Sequence, residues 1–134
     1  MADVKEMLTA YLKEEGYLPT PEGQGLVFKK EGRTYFTFPD NADPNFFNLY
    51  SYFDFADAVP SRAVGLEAAN DINKAVKAVK VTLMEDEAPG RVSFGLEVPL
   101  SLAESFRGIF ERSLNTIGYA VEQFAERVKA RGVG

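Results

Sequence analysis

Apolar residues recur with helical spacing at the start of the chain. Val4, Met7, Leu8, Tyr11 and Leu12 stand at i, i+3, i+4, i+7 and i+8, one stripe of an amphipathic helix. Asp3, with Glu6 three residues on, suits its N-terminus, and Gly16 suits a left-handed stop after Glu15. Residues 17–25 hold two prolines and two glycines and read as a connection. Period-two alternation comes next. Leu26 and Phe28 alternate with Val27 and Lys29, then Thr34, Phe36 and Phe38 with Tyr35 and Thr37. Between them Lys30-Glu31-Gly32 reads as a tight turn with a bulge, Gly32 supplying a positive φ.

Residues 46–55 read as a third strand. Phe47, Leu49, Phe53 and Phe55 form a core face, and Asn48, Tyr50, Tyr52 and Asp54 the other. A helix is expected from Ser61, as N-cap, to Asn73. Its narrow apolar face is Gly65, Leu66, Ala68, Ala69 and Ile72, small enough to approach a sheet closely, and Asn70 and Asn73 suit its stop and hydrogen bonds to the next loop. Val79, Val81 and Leu83 predict a fourth strand, and Val92, Phe94, Leu96 and Val98 a fifth. Lys74, Lys77 and Lys80 read as guards of a sheet edge. From a capping box at Ser101 and Glu104, a proline-free helix runs to about Arg131. Phe110, Leu114, Ile117, Val121, Phe124 and Val128 form its heptad-like seam, joined at its start by Phe106. Thirty residues span about 45 Å, whereas a domain of this size measures on the order of 35 Å across. The helix is therefore expected to bend, at Gly108 or Gly118, or to pack its far half on another subunit. The seam serves core or a dimer interface.

Composition narrows the chemistry. The 134 residues contain no Cys, His or Trp, which removes thiolate and imidazole catalysis and cysteine or histidine metal sites. A catalytic reading would need paired carboxylates, for which Asp54 and Glu97 on polar strand faces are the candidates. Asp40-Asn41-Ala42-Asp43-Pro44-Asn45 lacks the order of a calcium loop and reads as a turn. Glu85-Asp86-Glu87 reads as a solvated hairpin tip, and Gly23-x-Gly25 fails as a phosphate loop. No metal or cofactor is expected. Twenty acidic against fifteen basic residues give a net charge of −5, which disfavours nucleic acid. The excess lies wholly in residues 1–60, with ten acids and five bases, a half that suits basic partners or solubility. No stretch has the length of a membrane span or the layout of a signal peptide, so a single soluble, cytoplasmic domain over residues 1–134 is expected.

The expected class is α+β, an antiparallel sheet with helices in the order α-β-β-β-α-β-β-α. That order resembles the type III secretion chaperone-like fold. Within it the chain is similar to the YbjN family of bacterial sensory transduction regulators. The likeness rests on Val27 to Phe36 as the first hairpin, Asp43-Pro44-Asn45-Phe46-Phe47 as the turn into the third strand, and Ala68 to Lys74 with Val79-Lys80-Val81 as second helix and fourth strand. The resemblance implies a small, non-enzymatic, often dimeric protein. Secretion chaperones of this fold hold an extended client segment in apolar grooves, while the regulator label implies a small-molecule-responsive sensor. From the residues, Tyr35, Tyr50 and Tyr52 are the expected client or dimer contacts, because tyrosine is enriched at interfaces. The alternative for them is a solvated sheet face.

Overall fold

Alternating strands have one apolar face each, and here these faces merge on one side of a single sheet. The computed structural model describes residues 4–23, 25–39, 46–84, 90–99 and 106–132. The strands are β1 (Thr20–Glu22), β2 (Gly25–Lys30), β3 (Arg33–Thr37), β4 (Phe46–Asp54), β5 (Val79–Met84) and β6 (Arg91–Pro99). They are wholly antiparallel, in the spatial order β1-β2-β3-β4-β6-β5. The helices are α1 (Val4–Glu14), α2 (Phe55–Ala58), α3 (Arg62–Ala75) and α4 (Phe106–Gly132). Leu26, Phe28, Tyr35, Phe47, Leu49, Val81, Val92 and Phe94 share one core with Leu8, Leu12, Ile72, Phe110, Leu114 and Ile117. The result is the expected α+β architecture, with helices layered on one face of the sheet.

Local chemistry accounts for the boundaries. Gly16 ends α1 at φ 89°, and Tyr17 N donates to Leu12 O while Gly16 N donates to Lys13 O, the paired bonds of a Schellman stop. The Ser61 hydroxyl accepts from Val64 N at 3.2 Å and caps α3. At Gly65 a Cβ would lie 3.0 Å from Leu83 Cδ2, so α3 rests closely on β5. Leu66, expected on that face, is instead exposed. The turn between β2 and β3 departs from expectation. Lys30 pairs with Arg33, leaving a two-residue loop in which both Glu31 (φ 51°) and Gly32 (φ 80°) are positive. Those are the signs of a type I′ turn, with no bulge.

Two further elements lie where the sequence reads as a connection or as strand. Thr20–Glu22 forms β1 despite Pro21, because an edge strand has one partner and tolerates a missing donor. Phe55, expected at the end of the third strand, opens the single turn of α2. The expected caps at Asp3 and at Ser101 with Glu104, the turn at residues 40–45 and the acidic tip at 85–87 lie outside the described residues.

Side chains complete the sheet in two places. Only Phe36 and Tyr50 are in register between β3 and β4. Beside them Asn48 Oδ1 accepts from Phe38 N at 2.7 Å and Asn48 Nδ2 donates to Phe38 O at 2.9 Å. Thr37 Oγ1 donates to Asn48 O at 2.8 Å and Ser51 Oγ to Thr34 O at 2.9 Å, which explains why Thr37 and Ser51 are buried. At the outer edge, Asn73 of α3 grips β5. Val81 N donates to Asn73 Oδ1 at 2.7 Å, and Asn73 Nδ2 donates to Val81 O at 3.1 Å. The amide satisfies backbone groups that an added strand would otherwise use.

The 27 residues of α4 are about 40 Å long, and neighbours in the same chain cover both ends. Arg107 forms ion pairs with Glu14 and Glu15 next to the end of α1. Arg131 bonds Glu67 at 2.8 Å and Asp71 at 2.7 Å on α3. The far half of α4 thus packs on α3, and the expected recourse to another subunit is not needed for its burial. Phe110, Leu114, Ile117 and Phe124 are buried in the intramolecular core, with Val121 partly buried against it.

Two substitutions separate core filling from edge clamping. Leu114→Ala should cost about 2–5 kcal/mol through transfer and cavity terms. Asn73→Ala should cost about 1–3 kcal/mol by stranding the polar groups of Val81. Equilibrium urea unfolding measures both as lowered midpoints.

Candidate functional site

The opposite face of the sheet has no helix over it among the described residues, and it is aromatic. Four strands set its grid. Phe36, Tyr50, Gly95 and Lys80 stand side by side from β3 to β5. In the next row Tyr52, Ser93 and Thr82 are neighbours, and beyond them Asp54, Arg91 and Met84. Phe38 and Asn48 lie on the other side, with Glu97 opposite Asn48. Phe38 is 38% exposed, Met84 42% and Phe46 48%.

The rings order one another. Tyr50 and Tyr52 stack with centroids 6.0 Å apart and planes 12° apart, and Phe36 and Phe38 are 6.4 Å apart at 4°. Phe36 meets Tyr52 edge-on at 5.3 Å, and Phe38 tilts against Tyr50 at 5.8 Å. Arg91 lies over the Tyr52 ring at 5.9 Å. The Tyr50 ring covers Gly95 so closely that a Cβ there would sit 2.6 Å from it. This is the covering of a strand glycine by a cross-strand aromatic ring. Burial, the Glu97 carboxylate and a hydrogen bond to it push the Tyr50 phenol up to about 12. Burial also raises Tyr52, against an opposing pull from Arg91. Both hydroxyls therefore stay protonated at neutral pH. Beside this ridge runs a shallow groove of about 480 Å³, with Ser93 and Gly95 in its lining and Lys80, Thr82 and Met84 on β5.

Of the three tyrosines expected as contacts, Tyr50 and Tyr52 stand together on this face. Tyr35 does not. It is 2% exposed, stacked on Phe28 at 5.6 Å within the core. The register of β3 turns Tyr35 and Thr37 inward and Phe36 and Phe38 outward. Phe36 and Phe38 are the members of the site that the sequence reading missed. Their period-two spacing was visible, but not which phase the two phenylalanines took. The candidate acid–base pair is not assembled. Asp54 pairs with Arg91, whereas Glu97 pairs with Asn48, six residues along β4, a separation of about 20 Å. Carboxylates working together on one bond lie roughly 5–9.5 Å apart. Among the described residues no group of three acidic side chains converges as a metal site, and no helix is long and apolar enough to cross a membrane.

A second concavity, of about 780 Å³, lies between the α3–β5 connection and the first half of α4. Val76, Leu96, Val98 and Ile109 give it an apolar lining, and Lys77, Arg112 and Tyr119 also border it.

An α+β fold with helices on one face of the sheet and, among the described residues, an uncovered aromatic surface on the other is thus the class of structure. The chain is similar to the crystal structure of YbjN from E. coli, described as "a putative transcription regulator", with a TM-score of 0.68 over 87% of each chain and 16% identity. At that identity the likeness is one of fold, and the fold is YbjN-like. No family model and no curated protein matches the sequence.

The phenol environment gives a pH dependence. A tyrosine raised in the folded state contributes stability that is complete below its unfolded value near 10 and lost as pH climbs through the folded value. Unfolding midpoints should therefore fall between about pH 10 and about 12. Tyr50→Phe should flatten that fall, and Gly95→Ala, which displaces the ring, should bring part of the phenol absorbance titration back toward 10.

Proposed function

We propose that this chain is a non-catalytic, regulatory protein-binding module whose contact surface is the uncovered aromatic face. The observation that carries the reading is the ordered set Phe36, Phe38, Tyr50 and Tyr52 on a sheet face that has no helix over it among the described residues. A contiguous aromatic surface that is partly exposed, as Phe38 is here with Phe36, Tyr50 and Tyr52 half-buried beside it, is a usual mark of an interaction site. The regulatory part is supported by the fold shared with YbjN and by the description that protein carries. In its finer form the module works as a homodimer and holds an extended client segment. Expected strand addition at a sheet edge is the less favoured route, because Asn73 occupies Val81 on β5 and Pro21 lies in β1.

Affinity capture from the native host tests the reading with wild type, Tyr52→Glu and Leu66→Glu, the last altering an exposed apolar residue of α3. A partner recovered by wild type and Leu66→Glu should drop at least about tenfold with Tyr52→Glu, since the substitution removes a ring of the surface and adds a charge that must be desolvated on binding, even beside Arg91. Equal recovery by all three removes the aromatic face from the binding surface.

The cleft of about 780 Å³ favours a second reading, a small-molecule-responsive regulator, because its volume falls within the range of ligand pockets. A compound that raises the wild-type Tm but not that of Ile109→Trp, which fills the cleft, would support it.

A further inference from the structure

We infer that the cleft of about 780 Å³ between the α3–β5 connection and the first half of α4 binds an organic carboxylic acid whose body is apolar and of medium-chain fatty-acid size. The inference rests on the reading of this cleft as a small-molecule site, and it names the class of ligand.

Ser113 is the decisive residue. It is only 4% exposed, and it borders the cleft. Hydroxyls elsewhere on the helices bond the carbonyl one turn back. Thr9 donates to Lys5 O at 2.7 Å, and Thr116 to Arg112 O at 2.8 Å. The Ser113 hydroxyl makes no hydrogen bond with another residue among those described. Yet no side-chain polar atom among the described residues is both sealed from solvent and without a partner. The Ser113 Oγ therefore opens on the cleft. A nearly buried polar group beside Leu96, Val98 and Ile109 gains from a bound acceptor, because leaving it unpaired is costly.

Charge selects the acceptor. Two cations, Lys77 and Arg112, border the cleft, and no Asp or Glu does. Glu111, the acid next to Arg112, is engaged elsewhere. It accepts from the Tyr11 hydroxyl at 3.0 Å and lies 4.0 Å from Lys30. Arg107, Arg127 and Arg131 are paired with carboxylates. Lys77 and Arg112 have no ion pair among the described residues. On a chain of net charge −5 this is a local site of the opposite sign. A carboxylate suits it, since its two oxygens match a guanidinium fork and also accept from a hydroxyl. A phosphate dianion fits less well, because its second charge is costly to desolvate against apolar walls.

Size and backbone agree. The volume falls within the range of ligand pockets. Acetate would leave the apolar wall wet, and an alcohol would leave both cations unused. Ala78, beside Lys77 on the same border, stands at φ 69°, a left-handed backbone unfavourable to a residue with a Cβ. Strain of that kind concentrates at ligand sites.

The test is a titration of the isotope-labelled full chain with octanoate, followed by amide chemical shifts. Shift changes should centre on Lys77 to Val79 and on Ile109 to Thr116, with a dissociation constant on the order of 100 µM. Octanol and acetate should each bind at least about tenfold more weakly. Lys77→Gln with Arg112→Gln, both exposed positions, should weaken octanoate at least about tenfold and leave octanol within about twofold. Ser113→Ala should weaken octanoate about three- to tenfold. Circular dichroism checks that each variant is folded. An absence of shift changes up to about 5 mM octanoate overturns the inference. So does binding that the double variant retains, or shift changes confined to the aromatic face. Octanol binding as tightly as octanoate, and lost with Ile109→Trp, would overturn the carboxylate while leaving the cleft as a small-molecule site.

Discussion

The ring of Phe110 is where the layers of this protein meet. It is fully buried in the first half of α4. Tyr11 of α1 lies edge-on to it at 5.0 Å, Phe47 of β4 at 5.6 Å and Phe28 of β2 at 5.8 Å. Those strands belong to the two halves of the sheet on either side of the β3–β4 seam. Along that seam backbone registry is sparse and side chains complete the bonding. A large aromatic group touching both halves holds them to one helix where the ladder alone is thin. At the other end of α4, Phe124 meets Phe94 edge-on at 5.3 Å, and ion pairs add the alignment of α4 with α3. Such exposed pairs are individually weak, so the aromatic contacts dominate the energetics.

Because α1, α3 and α4 are committed to one face, the other face is left to aromatic side chains that shield one another. The tyrosines there are only half-buried, yet Gly95 and Glu97 limit their freedom. Restricting a contact residue before association lowers the entropic cost of binding. The same contacts that keep the bare face ordered in an isolated chain thus make it suited to another surface.

Much of this architecture was legible in the sequence because period is a direct consequence of one-sided burial. The stripe of α1, the Ser61 cap, the Gly16 stop and the seam of α4 could each be read from spacing and residue type. Phase within a strand was less accessible. For β3 both alternating sets mix aromatic residues with threonine, Phe36 and Phe38 with Thr34 and Tyr35 with Thr37, so Tyr35 could be assigned outward when it lies inward. Only the register with β2 decides the matter. Pro21 concealed β1 because its local signal is that of a loop, and the edge position that tolerates it is a tertiary fact. Tyr50 and Tyr52 were visible since Phe47 and Leu49 fixed the phase of β4. The acid–base candidate failed for a different reason. Composition admitted Asp54 and Glu97, but strand pairing set them far apart.

Asn73 carries a consequence for chemical ageing. Its side-chain amide imitates a stretch of backbone, offering one donor and one acceptor to Val81. Hydrolytic deamidation would retain an oxygen for the N–H but replace the nitrogen with a second oxygen, setting a carboxylate against the carbonyl it once held. The outer border of the sheet would lose its latch through the change of a single atom, and old protein would become stickier than new.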